Sequence, residues 1–143
     1  MNGRITIIDT NAVVAGLITA EPESPTSRVP DAMLDGSLLY LLSADLLREY
    51  RNVLLRPKIS RRHGLNEQQI DQFLSEIAAN AIWREVPPNT NHPSPDPRDA
   101  HLWALLASEP AAVLITGDRL LIENPIPQRS IISPAVWAEH FNR

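Results

Sequence analysis

Arg4-Ile5-Thr6-Ile7-Ile8-Asp9-Thr10-Asn11 is a β-branched run that stops abruptly at an acid. Ile and Thr pack well on a pleated surface, so residues 4–8 are expected to form a buried strand. An acid at the carboxyl end of such a strand stands where open parallel sheets place their ligands. Taken alone, Asp9 or Asn11 serves equally well as the cap of the following helix. The choice between these readings turns on how many other carboxylates reach the same edge.

Working outward from this strand, Ala12 to Leu17 is apolar and predicted helical, and Glu21 to Pro25 is a loop marked by its prolines. Ser27 to Leu34 reads as a short helix closed by Asp35-Gly36, and Leu38 to Leu42 as a second buried strand. Ser43 caps the next helix, where Leu46, Leu47, Tyr50, Val53 and Leu54 form one apolar stripe. At about 100° per residue Glu49 falls on the flank of that stripe, as a reaching carboxylate or an ordinary boundary residue. Arg56-Pro57 ends the helix, and Lys58, Arg61, Arg62 and His63 make a basic segment, the usual form of a solvated face.

Asn66 and Gln69 have the form of a capping box ahead of the clearest helix, with Ile70, Phe73, Leu74 and Ile77 on one face. Ile82 to Val86 is a third strand, Pro87 to Pro97 a loop, and a helix then runs through Ala107. Ala112 to Ile115 is a fourth strand, ending in Thr116-Gly117-Asp118. Ser130 to Ile132 is a fifth, with Ser133-Pro134 opening the last helix. Strands alternating with helices predict an α/β fold, a three-layer α/β/α sandwich on a mainly parallel central sheet. A chain of 143 residues suits one domain over 1–143.

The chain has no cysteine, which excludes disulfides, thiol catalysis and Cys-ligated zinc, and suits a reducing compartment. No apolar run approaches the roughly 18 residues of a membrane span. The strand begins within a few residues of Met1, so no signal peptide is expected, and the protein is expected to be cytoplasmic without membrane contact. The net charge of -4 argues against a generally basic nucleic-acid binder and leaves room for a local basic face. Lys58 is the only lysine, so the positive charge is nearly all arginine, which suits phosphate and also follows from codon preference.

In a parallel sheet the strand ends share one edge. Asp9 and Asp118 end strands there, Glu49 lies on the helix after the second strand, and Asp99, opening the helix before the fourth, joins them only if the proline loop brings that helix start to the same edge. Each has a bland role: Asp96-Pro97-Arg98-Asp99 looks like a helix start with Asp96 as cap, and Asp118 like a turn residue. Together, several carboxylates without lysine partners repel one another unless a cation neutralises them. An all-oxygen site without Cys or clustered His selects Mg²⁺ or Mn²⁺, ions that serve phosphoryl chemistry. The histidines are not expected to join it: His63 and His92 fall in loops, His140 lies near the C terminus, and His101, two after Asp99, points elsewhere on its helix. No glycine-rich phosphate loop or nucleophile elbow is present.

The order Ile8-Asp9-Thr10-Asn11, Ala44 to Tyr50 with Glu49, Asp99 to Ala107, then Leu114-Ile115-Thr116-Gly117-Asp118 resembles the PIN-domain ribonucleases. Within them it most resembles the VapC-like toxins of prokaryotic toxin–antitoxin systems. One group of these toxin components carries Asp-Pro-x-Asp before the third acid and Thr-Gly-Asp at the fourth. The resemblance covers nearly the whole chain. It implies that Asp9, Glu49, Asp99 and Asp118 hold Mg²⁺ or Mn²⁺ and that water attacks an RNA phosphodiester. Thr116 matches a hydroxyl residue supporting the first acid, Asn11 a polar neighbour, and Asp96 an acid often found before the third ligand. The resemblance further implies a homodimer and an antitoxin protein whose C-terminal segment enters the active-site groove. Arg48, Arg51, Arg56, Lys58, Arg61 and Arg62 are the candidates for binding RNA.

Two other readings compete. A haloacid-dehalogenase-type phosphatase would want a second acid where Asn11 stands and a lysine in its later motif, and neither is present. A nuclease-dead PIN domain acting as an RNA- or protein-binding module would keep the fold without turnover.

Overall fold

The computed structural model describes residues 4–86, 100–123 and 130–140. Five parallel strands appear among them: β1 (Thr6–Ile8), β2 (Leu41–Leu42), β3 (Ile82–Trp83), β4 (Val113–Ile115) and β5 (Ser130–Ile132). Hydrogen bonding orders them as β1-β4-β5 and β2-β3, and a parallel bridge from Thr6 to Tyr40 joins the two groups side by side. Strand β1 therefore lies between β2 and β4. The chain leaves it toward one side and returns on the other, so its carboxyl end is the switch point where an open α/β sheet forms a crevice. With helices packed on the sheet this is a three-layer α/β/α sandwich, as the alternation of strands and helices predicts. The strands are shorter than their apolar runs; Leu39, for example, is exposed.

The helices are α1 (Thr10–Ile18), α2 (Pro25–Asp35), α3 (Ala44–Leu54), α4 (Pro57–His63), α5 (Glu67–Asn80), α6 (Ala100–Ala107), α7 (Arg119–Glu123) and α8 (Pro134–His140). Several begin where the sequence offers a cap. Ser43 Oγ accepts from Leu46 N, Asn66 and Gln69 close the capping box, and Ser133 Oγ accepts from Val136 N. The basic segment after Arg56 is a helix: Pro57 opens it, Gly64 closes it in the left-handed region, and it buries no side chain. His63 ends that helix instead of lying in a loop. Its Nδ1 accepts from Leu65 N at 2.9 Å, so Nε2 carries the proton given to the Leu54 carbonyl, also at 2.9 Å. Helix α7, directly after Asp118, was likewise not expected. Among the described residues no helix is long and apolar enough to cross a membrane.

Two buried tyrosines tie helices to the sheet. Tyr40 in the strand edge donates to the Ile77 carbonyl of α5 at 2.6 Å, and burial raises its hydroxyl to about 12. Tyr50 of α3 donates to the Ile8 carbonyl at 2.5 Å, and burial, with Asp9 nearby, pushes its hydroxyl well above the ordinary value. Both hydroxyls therefore stay protonated and donate. The Tyr50 bond sets α3 against the last residue of β1, which puts Glu49 beside Asp9.

Helices α1 and α2 pack tightly at Gly16. A Cβ there would lie 2.5 Å from Pro30 Cδ and 2.7 Å from the Thr26 carbonyl oxygen. Pro30 stands inside α2 and cannot donate to that carbonyl, so one helix lacks a hydrogen where the other lacks a side chain. Gly16→Ala should force α1 and α2 apart and cost about 1–3 kcal/mol, the usual penalty of overpacking. Urea unfolding measures this, and a variant as stable as the parent would contradict the close contact.

Candidate active site

The ladder between β1 and β4 ends where Asp9 N donates to the Ile115 carbonyl at 2.9 Å. Beyond it side chains continue the linkage. Thr116, wholly buried, donates its hydroxyl to Asp9 Oδ2 at 2.8 Å, and Asn11 Nδ2 reaches the same oxygen at 3.2 Å. Thr10 N donates to Asp9 Oδ1 at 2.8 Å, so Asp9 does cap α1. Asn11 Oδ1 in turn accepts from Gly117 N at 2.7 Å, and Asp118 N donates to Thr116 Oγ1 at 3.0 Å. The ends of β1 and β4 are thus laced by Asp9, Asn11, Thr116 and the backbone of Gly117-Asp118. A Cβ on Gly117 would come within 3.3 Å of Asn11 Oδ1, tight enough to disturb that lacing.

Glu49 arrives from α3. The Thr10 hydroxyl donates to its Oε2, and His101 Nε2, on the first turn of α6, lies 3.3 Å from its Oε1. The His101 hydrogen bond, helped by Thr10 and by the charges of His101 and Arg56, holds the Glu49 carboxyl below its usual value, while partial burial acts the other way. His101 therefore faces the acids, against the expectation that it points elsewhere. Helix α6 buries Leu102 to Leu106 consecutively, so its apolar residues mark no single face from which the direction of His101 could be read.

Asp9, Glu49 and Asp118 line one cleft of about 500 Å³ with Thr10, Asn11 and Arg56. The other wall is aliphatic: Val14, Ala15 and Ile18 of α1, Val53 of α3, Ile59 of α4 and Leu121 of α7. Asp96 and Asp99 lie outside the described residues. The contact from His101 to Glu49 does bring the first turn of α6, which begins at Ala100, to the rim of the acidic edge.

The basic candidates divide. Arg56 lines the cleft, and exposed Lys58, Arg61 and Arg62 continue from it along α4. Arg48 pairs with Asp45 at 2.8 Å, and Arg51 pairs with both Asp71 and Glu67 at 2.8 Å across α3 and α5. These two line a separate cavity with Leu74 and Trp83, away from the acids.

Among the described residues no three His, Asp or Glu side chains gather as a metal-holding group. The fit to a divalent ion lies in the donor chemistry. Asp9, Glu49 and Asp118 offer hard carboxylate oxygens to one cleft, whose described lining includes no sulfur-bearing side chain.

The chain belongs to the PIN-domain family, whose match covers residues 6–120, from the first residue of β1 into α7. PIN domains are generally nucleases, and those nucleases generally use a divalent metal. Uncharacterized protein MJ1680 of Methanocaldococcus jannaschii is 28% identical over 116 residues, which cover 81% of this chain and 72% of that protein.

The lowered Glu49 value fixes the sign of a pH effect. A carboxyl depressed on folding below its ordinary 4.5 stabilises the fold above that pH, and the contribution is lost as pH falls through the lower folded value. Glu49→Gln should therefore be less stable than the parent near about pH 7, and the two should converge near about pH 3. Urea midpoints across that range test this; a constant difference would contradict it.

Proposed function

We propose that this chain is a metal-dependent endoribonuclease, a single domain over residues 1–143 that hydrolyses RNA phosphodiester bonds with Mg²⁺ or Mn²⁺. The observation that carries the reading is the convergence of Asp9, Glu49 and Asp118 on one cleft at the β1 switch point of a PIN domain. Asp9, Glu49, Asp118 and, by its place in the motif, Asp99 would hold the ion. When bound, such an ion lowers the pKa of water and offsets charge on phosphate oxygens.

The chain's own groups set the stage for that chemistry. Thr116, Asn11 and the Thr10 amide hold the Asp9 carboxyl in place with three donors. Arg56 faces the cleft as a partner for a phosphate, and Lys58, Arg61 and Arg62 extend positive charge along α4. The aliphatic wall offers apolar surface to the sugar and base beside the scissile phosphate, and limits water there. Asp96 is a further acid of the same motif.

The motif order favours the toxin of a toxin–antitoxin pair acting in the cytoplasm, with RNA as substrate, an antitoxin protein as inhibitor and a second copy as dimer partner. On this reading the purified chain cuts RNA only with Mg²⁺ or Mn²⁺, EDTA stops it, and Asp9→Asn reduces cutting to background. Expression of the parent should arrest bacterial growth, and Asp9→Asn should relieve the arrest. Cleavage surviving in pure Asp9→Asn would sink the site. RNA binding without metal-dependent cleavage would favour a binding module.

A further inference from the structure

We propose that His101 is a positioning residue for Glu49, holding one carboxylate oxygen from the first turn of α6 while the Thr10 hydroxyl holds the other from α1. The proposal rests on the reading of Glu49 as a metal-holding acid. The Tyr50 anchor fixes the backbone of α3 and leaves the Glu49 side chain its own rotamer freedom. Two donors from two other helices remove that freedom. An ionised carboxylate has about four lone-pair sites, so two remain for a cation in the cleft.

The contact is sheltered. The His101 side chain is 19% exposed and that of Glu49 28%, so water competes weakly with the hydrogen bond. A carboxylate only accepts, so the proton of the pair must sit on Nε2. An imidazole can donate it without the permanent charge of Lys or Arg, which would compete with a divalent ion for the same oxygens. Helix α6 thereby reaches the acidic site through a donor.

The test is Mn²⁺ titration of the full-length chain, with RNA cleavage measured alongside, for the parent, His101→Phe, His101→Gln and Glu49→Gln. His101→Phe keeps a ring and loses the donor; it should weaken Mn²⁺ binding about 10- to 100-fold and lower kcat/KM by a similar factor. His101→Gln offers an amide N–H near the Nε2 position and should recover most of both. Parent-like binding in His101→Phe overturns the proposal, and so does a Gln variant as weak as Phe. If the parent binds no Mn²⁺, or Glu49→Gln binds it as well as the parent, the metallonuclease reading fails instead. The positioning is then decided in the metal-free parent, where ¹⁵N spectra should show a proton on His101 Nε2. A bare Nε2 overturns it whether or not the protein cuts RNA.

Discussion

At Asp9 the ladder between β1 and β4 gives out, and the buried Thr116 hydroxyl takes over from it. That hydroxyl gives its hydrogen to Asp9 while accepting from Asn11 and from the Asp118 amide, so one small side chain serves three neighbours. It can do so because β1 and β4 pair in register, Ile8 opposite Ile115, which leaves Asp9 and Thr116 side by side just beyond the last pair. The rest of the edge follows. Asn11 turns back to Gly117, α1 begins on the Asp9 carboxylate, and the turn after β4 folds Asp118 toward the same cleft.

Gathering acids in this way sets two demands against each other. Carboxylates close together favour protonation, and partial burial pushes the same way. The acids are met by hydrogen-bond donors: the Thr116 and Thr10 hydroxyls, the Asn11 amide, the Thr10 backbone and the His101 imidazole. For Glu49 the donors prevail, since its value is lowered in spite of burial. Charge enters mainly through Arg56, at the cleft, whereas Arg51 is spent on binding α3 to α5. The Glu49 carboxyl is thus held low by hydrogen bonding first and by positive charge second.

Much of this was legible in the residues. The β-branched run ending at Asp9, the stripe of Leu46, Tyr50 and Leu54, and the caps at Ser43 and Asn66 each act locally, and each stands where its local chemistry puts it. What escaped is of another kind. Helix α4 buries nothing, so it has no apolar period, and only Pro57 and Gly64 mark its ends. The Tyr50 hydroxyl was hidden inside an apolar stripe, although its bond to Ile8 is what brings Glu49 to Asp9. Arg51 looked available because its partners Glu67 and Asp71 lie on the next long helix, beyond any local pattern. His101 meets Glu49 across 52 positions of sequence, a distance over which only the folded topology speaks.

The acidic edge and the basic helix near it are fastened very differently. The acids grow from strand ends and from α3, whose Leu46, Tyr50 and Leu54 are wholly buried. The basic helix is α4, which buries no side chain and is secured by His63 and a partly buried Ile59. Exposed positions of this kind usually change at a cost within about 0.5 kcal/mol, whereas core positions do not. Lys58, Arg61 and Arg62 can therefore be exchanged almost independently of folding. The acidic edge thus sits in the part of the fold where substitution is costly, and the surface charge beside it where substitution is cheap, so the charge can drift while the acids stay in place.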